Sequence, residues 1–126
     1  MVAALGLRLP PGSENVEASG SIQVPAQVPA LSIWSLYPHM HTLGQTLRVD
    51  VVPANSGSSC MLDVPRWDFG WQQFFNYADG PVVVRGGDRI DISCGYDTRG
   101  RTETVTWGEG TMDEMCLAFL YYTVGE

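Results

Sequence analysis

Apolar residues in this chain gather in short runs separated by turn-forming residues, and no stretch sustains a helical period. The first thirty residues, rich in Pro, Gly and Ser, hold one strand-like segment, Ser21 to Val24, stopped by Pro25 and predicted as an edge strand. Stronger strands are predicted over Leu31 to His41, Thr46 to Val52, Cys60 to Val64, Trp71 to Tyr77, and Val82 to Cys94 with an interruption at Gly86-Gly87. Thr102 to Trp107 and Glu114 to Val124 complete the set. Turn chemistry separates them, as in Pro53-Ala54-Asn55-Ser56-Gly57 and Ala78-Asp79-Gly80-Pro81. Many short strands at regular spacing predict an all-β fold, an antiparallel β-sandwich of jelly-roll type.

At 126 residues the chain has the size of one domain, so a single sandwich over residues 1–126 is expected, with 1–20 as an irregular N-terminal approach. The 14 acidic side chains against 7 basic ones leave no footprint for nucleic acid or anionic lipid. No run reaches the length of a membrane span, so no membrane insertion is expected. The opening Met1-Val2-Ala3-Ala4-Leu5-Gly6-Leu7 lacks the basic start and longer apolar run of a signal peptide, which fits a cytosolic protein or one whose leader has been removed.

Both histidines of the chain lie in Tyr37-Pro38-His39-Met40-His41. Extended side chains alternate faces, so His39 and His41 point the same way and their imidazoles can close on one metal ion. A solvated or hydrogen-bonded pair is the plain alternative. A third ligand has to come from another strand, and Trp107 to Cys116 concentrates two thioethers, several carboxylates and a thiol. Two imidazoles with a thioether suit copper, whereas two imidazoles with a carboxylate suit zinc or non-haem iron. Met115 equally suits a gap-filling core position beside Leu117 and Phe119. Among the three cysteines, Cys94 and Cys116 border apolar runs and are placed either for a bridge between neighbouring strands or as buried thiols. Cys60 has no evident partner and is expected to be free.

His39-Met40-His41, combined with Thr111-Met112-Asp113-Glu114-Met115-Cys116 and an apolar strand carrying Tyr121-Tyr122, resembles the C-terminal domain of the copper type II, ascorbate-dependent monooxygenases. That family includes peptidylglycine alpha-hydroxylating and dopamine beta-monooxygenases. The likeness runs from about Leu9-Pro10-Pro11-Gly12 to Thr123, and the segment Asp63 to Gln72 looks closer to bacterial monooxygenase-like relatives. The resemblance implies one copper per chain held by His39, His41 and Met115, a Cys94–Cys116 disulfide, and a secreted or periplasmic location. Asp113 and Glu114 are read as turn residues or as partners for the other imidazole nitrogens.

The resemblance also implies molecular oxygen and a small-molecule substrate, with ascorbate as a reductant. A second, three-histidine copper site has no histidines left to build it, so an electron-donor partner domain or protein is an alternative to ascorbate. Tyr37, Leu117 and Phe119 stand where the peptide-hydroxylating enzymes carry an arginine, an asparagine and a tyrosine that hold substrate. An amidated-peptide precursor is therefore not the expected substrate. Tyr37 and Phe119, with Trp67 and Trp71, are candidate walls of a substrate cleft, or else members of the sandwich core. Two other readings are a non-catalytic periplasmic Cu(I) carrier or buffer, and an interaction or carbohydrate-binding sandwich without a working site.

Overall fold

The computed structural model describes residues 1–125. They form eleven strands: β1 (Val2–Ala3), β2 (Arg8–Leu9), β3 (Val16–Gln23), β4 (Ala30–His39), β5 (Gly44–Val52), β6 (Ser59–Val64), β7 (Phe75–Asn76), β8 (Val82–Arg85), β9 (Arg89–Tyr96), β10 (Val105–Thr106) and β11 (Leu117–Val124). No helix occurs among the described residues. One sheet has the order β1-β11-β4-β7 with β8 also on β4, the other has the order β3-β9-β5-β6, and β2 pairs with β10. Every strand ladder is antiparallel. The molecule is all-β, and its two main sheets form a β-sandwich.

The strand pattern follows from which face packs. On β9, Ile90, Ile92, Cys94 and Tyr96 are buried while Arg89 is exposed and Asp91 and Ser93 are half-buried. β5 contributes Leu47, Val49 and Val51, and β4 contributes Ile33 and Leu36, to the same core. This is the alternation of sheets that bury one face. Ser21 to Gln23 of the predicted segment lie on an edge strand, but β3 begins at Val16 and ends before Val24.

Several boundaries differ from the sequence expectation. Residues 1–20 are not an irregular approach: they hold β1, β2 and the start of β3, and Val2, Ala4, Leu7 and Leu9 are buried. Gly20 allows β1 to cross β3, because a Cβ there would collide with the Ala3 carbonyl. Trp71 to Tyr77 shrinks to Phe75–Asn76, since Asp68 captures the chain in a turn first, its Oδ1 accepting from Gly70 N at 2.8 Å and its carbonyl from Trp71 N at 3.0 Å. Thr102 to Trp107 shrinks to Val105–Thr106, and the last strand starts at Leu117 rather than Glu114. Cys94 and Cys116 are disulfide-bonded, but across the sandwich rather than between neighbouring strands: Cys94 is on β9 and Cys116 leads into β11 of the opposite sheet. Cys60 is free and exposed.

Candidate metal centre

The two histidines lie where β4 ends, at the rim of the first sheet. Their ring centroids are 5.1 Å apart with an interplanar angle of 76°. His41 is buried and His39 half-buried. His41 Nδ1 donates to the Asp113 carbonyl at 2.9 Å, a bond whose direction is set because a carbonyl only accepts. His39 Nδ1 lies 2.6 Å from Gln72 Oε1. Phe69 packs against His41 in a T-shaped arrangement, with centroids 6.0 Å apart.

β11 begins with Leu117 opposite His39, and the Met115-Cys116 segment leads into it. Glu114 ties the two segments together. Its carboxylate is fully buried and accepts from His41 N at 2.8 Å, Leu43 N at 2.8 Å and Met115 N at 3.2 Å. Burial pushes this carboxyl above its ordinary range, against the pull of the same backbone donors. Tyr96 on β9 donates its hydroxyl to the Met115 carbonyl at 2.6 Å, and its buried phenol is pushed up by desolvation. Met115 is half-buried, whereas Met112 is 68% exposed.

The expected partner roles of Asp113 and Glu114 are realised differently from their side-chain chemistry. Asp113 meets His41 through its main chain and spends its carboxylate on Gly110 N at 3.1 Å. Glu114 holds backbone, not imidazole. Gln72, which does contact an imidazole, was not singled out from sequence. Its only sequence signal is position, in a loop of glutamines and aromatics with no metal-site spacing.

Of the candidate cleft walls, Tyr37 and Phe119 are direct register partners on β4 and β11, with ring centroids 6.5 Å apart. Phe74, also not singled out from sequence, stacks on Tyr37 at 4.9 Å. Phe119 is 49% exposed, so this is an open aromatic shelf on the outer face rather than core. Trp67 is a brace: its indole donates to the His41 carbonyl at 3.0 Å, and it packs so closely that a Cβ at Gly44 would come within 2.9 Å of its ring. Trp71 is exposed, and with Trp67 it borders a cavity of about 140 Å³ that also touches Pro38 and Phe75. Among the described residues, no group of three or more His, Cys, Asp or Glu side chains gathers as a metal cage, so the imidazoles stand as a pair.

The class these features define is an all-β sandwich that buries one face of each sheet and sets two imidazoles close together at its rim. Comparison with known proteins gives the particular family. Residues 2–125 match the model of the copper type II ascorbate-dependent monooxygenase C-terminal domain, and the chain belongs to that family. It is 25% identical over 122 residues to human DBH-like monooxygenase protein 1, covering 90% of this chain and 20% of that protein. It is 29% identical over 126 residues to mouse DBH-like monooxygenase protein 2, covering 90% of this chain and 19% of that protein. A 41-residue stretch, 32% of this chain and 7% of the relative, is 44% identical to tyramine beta-hydroxylase of Caenorhabditis briggsae. The chain thus spans about a fifth of the length of the long-matching curated relatives.

Proposed function

We propose that this chain is a mononuclear copper-binding domain, with His39, His41 and Met115 as ligands, and serves as the oxygen-activating half of a copper-dependent monooxygenase. The observation that carries the reading is the imidazole pair. A nitrogen-to-metal bond of about 2.0–2.1 Å puts each ring centre about 3.2 Å from the ion, so two rings sharing one ion at a tetrahedral angle lie about 5 Å apart. The 5.1 Å separation of His39 and His41 matches that spacing, which supports the reading. His41 spends Nδ1 on the Asp113 carbonyl, which leaves its Nε2 lone pair for a metal. Two imidazoles with a soft thioether match copper, particularly Cu(I).

Bound copper would supply the one-electron chemistry by which dioxygen is reduced and a C–H bond hydroxylated. The chain's own part is to hold the ligands and place the substrate. Tyr37 and Phe119, on the strands that carry and face His39, form an apolar shelf with Phe74 of the loop before β7, suited to stacking an uncharged substrate beside the site. Electrons have to come from outside the chain, from ascorbate or from a donor domain or protein. The Cys94–Cys116 bridge supports a secreted or periplasmic location, because such bonds persist in oxidising compartments.

The test is copper binding by the purified chain as Cu(I) and Cu(II), with ascorbate-driven oxygen uptake followed in the same samples. One copper per chain is expected, with affinity falling by at least about tenfold in His39→Ala and Met115→Ile and unchanged in Met112→Ile. No copper binding, or equal binding by all variants, overturns the proposed site. Copper bound without oxygen uptake would shift the reading to a Cu(I) carrier.

A further inference from the structure

We propose that Gln72 is a positioning residue that locks His39 in the tautomer carrying its proton on Nδ1 and thereby presents Nε2 as the metal-binding atom. The inference rests on the copper role proposed for His39 and adds a side chain to it.

Gln72 Nε2 donates to the Phe69 carbonyl at 2.9 Å, and since a carbonyl can only accept, this bond settles which end of the amide is nitrogen. Gln72 Oε1 is therefore the atom 2.6 Å from His39 Nδ1. An amide oxygen has no proton to give, so Nδ1 is the donor. A neutral imidazole carries a single N–H, which leaves Nε2 with its lone pair free. His41 reaches the same state through the Asp113 carbonyl. The two controls differ in kind: His41 is set by main chain, which any residue at position 113 supplies, whereas His39 depends on one side chain 33 residues away.

The loop between β6 and β7 is braced to keep that side chain in place. Trp67 N donates to the Gln45 carbonyl at 2.8 Å and the Trp67 indole to the His41 carbonyl at 3.0 Å. Asp68 then folds the chain back through its bonds to Gly70 and Trp71. A glutamine that served only to tidy the loop would need no partner on His39, and its Phe69 bond would suffice. The short second bond, aimed at a ring nitrogen, is what a metal-site partner requires.

The decisive measurement uses copper-free protein: long-range proton–nitrogen NMR of the histidine rings, which distinguishes protonated from unprotonated nitrogens. Wild type is expected to show His39 protonated at Nδ1. Gln72→Leu should give a mixture of tautomers and lower Cu(I) affinity by about 10–100-fold. Gln72→Glu keeps an acceptor for His39 Nδ1 but loses the donor to the Phe69 carbonyl, so it should restore the tautomer and recover only part of the affinity. Native-like tyrosine and tryptophan spectra check that each variant is folded. An Nε2-protonated His39 in wild type, or a Leu variant with unchanged tautomer and affinity, overturns the proposal. If the tautomer responds as expected but no form binds copper, the copper reading fails and the metal-positioning role falls with it. The two failures are thus told apart by which signal is lost.

Discussion

Replacing Glu114 by Ala should destabilise the metal-free chain by about 3–4 kcal/mol, and the figure follows from the bonds it breaks. The carboxylate is the acceptor for His41 N, Leu43 N and Met115 N. A buried donor left without a partner costs about 1–3 kcal/mol. His41 and Leu43, each at 2.8 Å, account for about 2–6 kcal/mol by that measure, and the longer Met115 bond adds less. Relief of the buried charge, whose unfavourable desolvation shows in its raised pKa, works in the other direction and brings the sum toward the lower half. Glu114→Gln should fall between. Its single oxygen can serve His41 and Met115, but its NH2 then faces the Leu43 N–H, donor against donor. Urea unfolding with the disulfide intact measures both variants, and amide hydrogen exchange should report lost protection at His41 and Leu43. An Ala variant within 1 kcal/mol of wild type would refute the reasoning, for it would mean that water replaces the carboxylate at little cost.

Removing the bridge with Cys94→Ala and Cys116→Ala should cost about 3.4 kcal/mol on chain-entropy grounds for a loop of this span, given the sequence separation of 22. Denaturant unfolding of the double variant checks it, and a loss under about 1 kcal/mol would count against the loop-entropy account. Alkaline pH should also destabilise the fold. Burial pushes Tyr77 up to about 12 and raises Tyr96 as well, so above the ordinary phenol pKa of about 10 the unfolded chain ionises these groups while the folded chain keeps them neutral. Their contribution is intact below pH of about 10 and is lost as pH rises toward the folded values, at up to about 1.4 kcal/mol per pH unit for each phenol. Absorbance titration at alkaline pH should show Tyr77 and Tyr96 ionising above the ordinary phenol value, and ionisation of both at that value would refute it.

The long strands were legible because their signal is local. Ile90, Ile92 and Cys94 alternate with Arg89, Asp91 and Ser93, and the structure buries the first set. The nearness of the two imidazoles was also expected from the two-residue spacing, although β4 ends at His39 and His41 lies just beyond the strand. What could not be read locally depends on distant partners. β1 exists because Val2 and Ala3 pair with Ala118 and Leu117, and β2 because Arg8 and Leu9 pair with Thr106 and Val105. Trp71-Gln72-Gln73-Phe74 has strand-like composition, yet the turn at Asp68 and Gly70 takes it out of the sheet and turns Gln72 toward His39. Exposure of Phe119 likewise follows from sheet geometry: its partner Tyr37 lies on the outer face, a placement that apolarity alone predicts the wrong way round.

The weakest of the proposed ligands has a backbone held at several points, and two of the restraints come from the opposite sheet. A methionine side chain gives up about 1.5–2 kcal/mol of rotamer freedom when ordered, and a mobile backbone would add about 1–2 kcal/mol more to the cost of bringing its sulfur to a metal. Here the backbone part is met during folding. The Met115 N–H is held by Glu114, its carbonyl by the Tyr96 hydroxyl, and the next residue by the bridge to Cys94. Tyr96 and Cys94 lie on the same buried face of β9, so two of these three restraints form only when the sandwich closes. In the proposed role, thioether affinity is therefore a property of sheet packing as much as of Met115 itself. The Cys94→Ala and Cys116→Ala double variant should then weaken Cu(I) binding although every proposed ligand is intact, and binding at wild-type strength would show that Glu114 and Tyr96 suffice to set the ligand.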